Sequence, residues 1–433
     1  MRLRLIIALL VCAASAEHAL AQQILVEGPG YEVDEGTVVH PHVGVSSGFV
    51  SNIFYEDGDG AATDPNTAPA LRLMASLALA SQHNKPETEV SPIIPQDEDN
   101  SASTSAPSLD FRLSGRVDYT QYLSGDTDVS EQNGFSNLAI GIDGFLVANP
   151  YGPVSVLLDN SFTRDTRPRN FESVGNLNRL INQFRGGVRL RPGNGALQFT
   201  GLYENWLDIF ESDATDFANR LNHLLRARAE WQFLPITRFY LDTSFGFYGG
   251  LGNDNPAFDK VSSTPLRILL GGATAITELT TVRAHVGFGK SFYAEGAEFT
   301  GPLLGAEFGL RYSPTGRLLL AYQYTFQDSL NSNFYRDHVV SAKVDHQIQQ
   351  VLVSAATHLR MRGYRGIPMA LGPDSRDDLI LGIEGEAHYL FREWLAFFAE
   401  LKILNDSTDY IDANGDDPSY SRFELYAGAT AAF

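Results

Sequence analysis

The feature that most restricts this chain is a period of two that recurs from Val38 to the C-terminal residue. Segments of roughly ten to sixteen residues alternate apolar and polar side chains, the pattern of strands whose two faces meet different surroundings. In 109–122, Leu109, Phe111, Leu113, Val117 and Tyr119 share one face, and Asp110, Arg112, Ser114, Arg116, Asp118 and Thr120 the other. Phe184, Val188 and Leu190 oppose Arg185, Arg189 and Arg191. Phe239, Leu241, Phe245 and Phe247 oppose Arg238, Tyr240, Asp242 and Ser244, while Leu379, Leu381 and Ile383 oppose Glu384, Glu386 and His388. This excludes an α-helical fold, but a two-sheet sandwich alternates as well.

Connector length separates the two β architectures. Short turns at 148–152, 192–195, 234–237, 276–279, 314–316 and 390–392 alternate with longer polar connectors, among them 56–67, 124–132, 166–178, 250–263, 328–336 and 405–418. A sandwich has no reason to sort its loops in this way. A transmembrane barrel does, with tight periplasmic turns and longer external loops. The pattern therefore predicts an all-β, antiparallel up-and-down barrel of about 18 strands in the outer membrane of a Gram-negative bacterium. Closure leaves no unpaired backbone edge in lipid, and a barrel of that size is wide enough for an aqueous lumen.

The ends of the chain fit the same compartment. Arg2 and Arg4 precede an apolar run from Leu5 to Ala14, and Ala19-Leu20-Ala21 forms a small-residue cleavage site. Residues 1–21 are read as a signal peptide, 22–37 as a polar periplasmic segment and 38–433 as the barrel. At the other end, Phe423, Leu425, Ala427, Ala429, Ala431 and Phe433 form one apolar face of a terminal strand. Phe423, Leu425 and Phe433 are similar to the C-terminal signal that the barrel-assembly machinery reads in outer-membrane proteins. One connector departs from the pattern. Residues 82–107 are Pro-, Ser- and acid-rich and lie where a short periplasmic turn is expected, so this stretch is read as a flexible tether, inert or for a periplasmic partner.

Charge and motifs narrow the function. A net charge of −20 argues against nucleic acid, and a single cysteine against a disulfide scaffold or cysteine zinc site. The polar faces carry about sixteen basic and about fourteen acidic residues, a near balance that places the acidic excess in the loops. Arg112, Arg116, Asp118, Arg185, Arg189, Arg226, Arg228, Glu384 and Glu386 are the predicted lumen-lining residues, a mixed-sign set suited to a hydrated path. Two aromatic belts are expected at the lipid interfaces. Trp231, Phe233, Tyr312, Tyr389, Phe391 and Trp394 belong to one, and Tyr55, Tyr119, Phe210, Tyr248, Phe292 and Phe326 to the other. Catalytic signals are thin. Asp337-His338 is a lone pair, no G-x-S-x-G or H-E-x-x-H occurs, and no enzyme or cofactor is expected. Asp412, Asn414 and Asp416 open like a calcium loop but lack its closing Glu.

The stretches Trp231–Pro235, Ser263–Arg267, Ser291–Tyr293 and Asn333–Asp337 resemble myxobacterial outer-membrane β-barrel proteins, which are porin-like and in some cases associated with exopolysaccharide export. The resemblance implies a conduit for polysaccharide working with a periplasmic export protein. The residues themselves leave two alternatives open, a general diffusion porin for small solutes and a structural or adhesive barrel with a plugged lumen.

Overall fold

The computed structural model describes residues 28–433 apart from 29, 35, 56–65, 82–107, 132, 167–177, 194, 214, 252–259, 331, 368–371, 413, 414 and 416. A short strand, β1 (Tyr31–Asp34), precedes the wall strands. These are β2 (Thr37–Val50), β3 (Ala68–Ser81), β4 (Leu109–Tyr122), β5 (Leu138–Ala148), β6 (Val154–Asp165), β7 (Arg179–Leu190), β8 (Leu197–Phe210), β9 (Arg220–Leu234) and β10 (Thr237–Gly250). The second half follows with β11 (Leu266–Thr277), β12 (Thr280–Lys290), β13 (Thr300–Ser313), β14 (Gly316–Asp328), β15 (Phe334–Ile348), β16 (Val351–Arg365), β17 (Ser375–Arg392), β18 (Leu395–Thr408) and β19 (Tyr420–Ala432). Each pairs antiparallel with its sequence neighbours, and β19 pairs with β2, so 18 strands close into a barrel. The protein is an integral β-barrel of the outer membrane, embedded in its lipid.

The alternation becomes an outside and an inside. Val188, Leu190, Phe199, Leu225, Phe239 and Leu241 are exposed on the outer wall, whereas Arg189, Thr200, Arg226, Arg228 and Asp242, one position along, are buried inside. Lipid takes the place of a core. Val188→Arg and Leu241→Arg are each expected to cost roughly 2–4 kcal/mol if they lie near the bilayer midplane. Urea titration in lipid bilayers checks this, and a cost no larger than that of a loop substitution would show the strand faces to be misassigned.

Among the described residues, five periplasmic hairpins turn on two residues: Pro235-Ile236, Glu278-Leu279, Pro314-Thr315, Gln349-Gln350 and Glu393-Trp394. A proline at the first turn position pre-sets φ in two of them, and Gln349 adopts φ 54° in a third. Trp231, Phe233, Tyr312, Tyr389, Phe391 and Trp394 are exposed around this end as a girdle. Its ring contacts include Trp231–Phe233 at 5.0 Å and Phe391–Phe397 at 6.1 Å.

The seam explains a strand that alternation did not reveal. Phe433 donates its N–H to Pro41 O (3.0 Å), and beyond that point β2 has no further partner from β19. β1 pairs there with Thr37–Val39 and continues the ladder, so residues 31–34, expected to be unpatterned, become a strand through backbone bonding although every side chain is exposed. Tyr31 and Trp394 flank the Phe433 ring at 6.4 and 5.7 Å. Higher on the seam, Gly48 lies beneath the Tyr426 ring, and a Cβ at that position would collide with Leu425 O. Gly48→Val is therefore expected to reduce the heat-modifiable, closed form on gel electrophoresis, while an unchanged folded band would show that the seam tolerates a side chain here.

Boundaries also shift at the other end. β2 stops at Val50 and not near 55, because Asn52 and Tyr55 take φ of 51° and 57° and the Asn52 amide bonds Ser421 O (3.0 Å). The connector expected at 328–336 is only 329–333. The extracellular aromatic belt differs from expectation as well. Phe210 and Phe326 are buried, Phe326 against Phe299 at 4.3 Å, and Tyr55 lies under Arg422 and edge-on to Tyr420. Phe292 is exposed as expected, and the exposed aromatics described in this half of the barrel also include Phe49, Phe245, Phe247 and Phe288.

Candidate functional site

The lumen is lined by charge that is largely paired within the wall. On one side Arg185 reaches Asp159 (2.7 Å), Arg226 reaches Asp242 (2.8 Å), and Arg228 is shared between Glu230 (2.6 Å) and Asp242 (3.4 Å). On the facing side Arg362 pairs with Asp337 (2.9 Å), Arg376 with Asp378 (2.7 Å) and Arg317 with Asp345 (2.7 Å). Across the seam Arg72 spans from β3 to Glu400 of β18 (2.6 Å), while Arg422 pairs with Glu424 along β19 (2.7 Å) and crosses the seam to Asn52 O (3.0 Å) and Ile53 O (2.7 Å). Aromatic faces support several guanidiniums, with Arg228 over Tyr240 at 4.3 Å and Arg362 over Tyr335 at 3.7 Å. Pairing of this kind cancels most of the cost of burying charge and fixes the side chains against the wall.

A second set of charges crosses the interior instead of following the wall. Arg220 on β9 bonds Asp328 at the end of β14 (3.2 Å), although five strand positions separate them. At a spacing of about 4.8 Å per strand that is roughly 24 Å of wall, so the two elements must lean inward to meet. The same Asp328 accepts from Lys260 (3.3 Å) in the connector after β10 and from the Tyr293 hydroxyl (2.8 Å). Burial first, and then the Asp328 carboxylate, pushes the Tyr293 phenol well above its ordinary range, which keeps it a donor. Arg220 also binds Asp208 (3.1 Å), which Arg179 holds from the other side (3.1 Å). A chain of charge thus runs Arg179–Asp208–Arg220–Asp328–Lys260 and pinches the extracellular mouth. Lys260 extends it by donating to Ser332 O (2.7 Å).

The structure distributes the sequence-predicted residues unevenly. Arg185, Arg226 and Arg228 belong to the paired network on β6–β10. Arg112, Arg116 and Asp118 lie on β4, where the wall is more open and Arg116 is exposed. Glu386 neighbours His388 (3.7 Å), and Glu384 stands in register with Lys402. Arg189 is fully buried and sits apart from these pairs. Leu425 and Phe433 face lipid at the seam, with Phe423 on the same side. Asp337 and His338 point to opposite sides of the wall, since Asp337 is held inside by Arg362 and His338 stacks on Tyr324 at 4.2 Å. Of the calcium candidates only Asp412 lies within the described residues, Asn414 and Asp416 falling outside them. The expected signal peptide and the 82–107 connector lie outside them too. Sequence reasoning missed Asp208, Arg220, Lys260 and Asp328. No local pattern marks a contact between residues 108 positions apart.

No family model matches the chain, and no curated protein matches it. Solved structures to which it is similar include OpdQ of Pseudomonas aeruginosa, at 9% identity and TM-score 0.45, covering 91% of this chain and 98% of that one. OccK2 (OpdF) of Pseudomonas aeruginosa is 11% identical with a TM-score of 0.47, over 92% and 98% of the two chains. OccAB4 of Acinetobacter baumannii is 8% identical with a TM-score of 0.47, over 93% and 100%. By its closed topology, apolar exterior and charged interior, the chain is a porin-like barrel.

Proposed function

We propose that this barrel is a passive channel for small hydrophilic solutes. The observation that carries the reading is the Arg179–Asp208–Arg220–Asp328–Lys260 chain across the mouth. A lumen lined by paired charge offers hydrogen bonds without holding one solute tightly, which is what conduction requires. A mouth pinched by side chains admits small molecules and resists a hydrated polymer. The resemblance to exopolysaccharide-associated barrels suggests the larger cargo, with a periplasmic export protein contacting 82–107, but a polymer conduit would need the pinch to open. Nor does the chain of charge amount to a plug, since it bridges one sector of the rim while Arg116 on β4 stays exposed.

Liposome swelling with uncharged sugars tests this. Monosaccharides should enter proteoliposomes readily, and rates should fall steeply from disaccharide to trisaccharide. Equal rates across the series would indicate a wide conduit. Absence of swelling with every sugar would indicate a closed, structural barrel.

A further inference from the structure

The outer wall of β14–β18 carries a charge that contact with lipid tails does not explain. Arg336 on β15 is exposed between buried Tyr335 and Asp337, so it shares the outward face with Val340. No ion pair or hydrogen bond to its guanidinium occurs among the described residues. Its height follows from the girdle at the other end, where His346 on the same strand stacks on Tyr312 at 5.5 Å. From His346 to Arg336 the strand climbs about 33 Å at roughly 3.3 Å per residue, or about 25 Å along the membrane normal at a tilt near 40°. That is the full height of an outer-membrane apolar band. Arg336 therefore stands at the level of the outer-leaflet headgroups, where an outward charge costs little.

Beside it the wall is hollow. A depression of about 600 Å³ is bordered by Arg336, His338, Met361, Gly363, Asp377 and Ser407. Gly363 makes the room, since a Cβ there would lie 2.6 Å from Asp377 Oδ1 and 3.3 Å from Arg336 Nε. Arg365 fixes Asp377 at the rim (3.0 Å) and leaves it 67% exposed. Asp409, just beyond Ser407, is exposed on the same rim. The rim thus offers one free guanidinium and, beside it, exposed oxygen acceptors. A phosphate suits the first, because a guanidinium fork matches phosphate oxygens. Hydroxyl groups suit the others, because an ionised carboxylate only accepts hydrogen bonds.

A second hollow continues downward. Below the His338–Met361 pair, Val340 and Leu359 oppose each other and border an apolar groove of about 490 Å³. The small side chain of Ala306 leaves it open between Phe308, Leu320 and Tyr322. The Tyr322 hydroxyl, 3.0 Å from His338 Nδ1, marks the change from polar to apolar surroundings.

We propose that this column of the outer wall docks one molecule of a phosphorylated glycolipid of the outer leaflet. Its phosphate sits on Arg336, its sugar hydroxyls donate to Asp377, Asp409 and Ser407, and an acyl chain fills the groove below. Polar above and apolar below is the order of groups in such a lipid, and both hollows open outward. The site lies outside the lumen and does not rest on the channel reading.

The test is native mass spectrometry of the full-length barrel in a polyoxyethylene detergent. The protein is titrated with diphosphoryl lipid A, with phosphatidylglycerol and with a phosphate-free diacyl glycolipid. One lipid A per barrel should be retained at lower concentration than either of the other lipids. Arg336→Gln should raise the concentration for half-occupancy about tenfold, equivalent to about 1.4 kcal/mol. Ala306→Trp, which fills the groove, should raise it as well, whereas Ala227→Trp, in a groove on the wall of β8–β9, should leave it unchanged. Arg336→Gln removes no bond within the protein, so its result stands even if a groove variant fails to fold. Equal retention of phosphatidylglycerol and lipid A would overturn the sugar contacts, and equal retention of the phosphate-free glycolipid would overturn the phosphate contact. Either outcome, or lipid A held by Arg336→Gln as firmly as by the wild type, defeats the proposal.

Discussion

Deletion of Phe433 is expected to remove most of the barrel from the outer membrane, although the residue makes too few interactions for its absence to unfold the protein. It contributes one backbone bond to Pro41 O and ring stacking with Trp394 and Tyr31. A hydrogen bond contributes about 0.5–1.5 kcal/mol and an aromatic pair a similar amount, so the total is about 3 kcal/mol. Its neighbour Ala432 stays tied to Trp394 O (2.9 Å), and β19 keeps its pairing with β18 and β2. A severe loss would therefore report failed recognition of the terminal strand during assembly, consistent with Phe423, Leu425 and Phe433 acting as the assembly signal. Quantitative blotting of outer-membrane fractions, beside urea titration of refolded protein, separates the cases. Normal membrane levels with a slightly lower urea midpoint would reduce Phe433 to a packing role.

Asp328→Ala should have the largest effect on the conformation of the mouth. One carboxylate receives Arg220, Lys260 and the Tyr293 hydroxyl, and its side chain is 9% exposed. Removing one partner of a buried pair costs about 3–5 kcal/mol, mostly through the charge left behind. Arg220 retains Asp208, which lessens the loss on that side, while Lys260 retains its bonds to the Ser332 and Asn333 carbonyls, which carry no full charge. The barrel wall should persist because its ladders do not depend on this contact. The connector after β10 should detach, which is measurable as protease cleavage near Lys260, and single-channel conductance should increase. Asp328→Asn, which keeps an acceptor of the same shape, should show a weaker form of both effects. Unchanged cleavage and conductance in the alanine variant would mean that the crossing ion pairs do not shape the mouth.

The wall was legible in the sequence because lipid outside and water inside impose opposite demands on adjacent residues. Val188 beside Arg189, and Leu241 beside Asp242, display that demand without reference to any distant residue. The strand count followed from it, helped by proline-marked turns such as Pro235 and Pro314. Partners were not legible. Arg226 and Asp242 are 16 residues apart on adjacent strands and meet through register, whereas Arg220 and Asp328 meet only because the barrel curves and its rim folds inward. β1 was invisible because the exposed edge of β2, not the composition of 31–34, makes it a strand. The extracellular aromatics were misplaced for a related reason. Beyond and near the strand ends alternation no longer dictates a ring's surroundings: Tyr55 lies past the end of β2, and Phe326 is covered by Phe299 and Arg267.

Single-channel recording of the purified protein in a planar bilayer tests the central claim most directly. A constricted, charge-lined barrel should give discrete, stable conductance steps in potassium chloride without any added partner, and Asp328→Ala should give larger steps than the wild type. A bilayer that stays silent although it contains folded, heat-modifiable barrel would contradict the account.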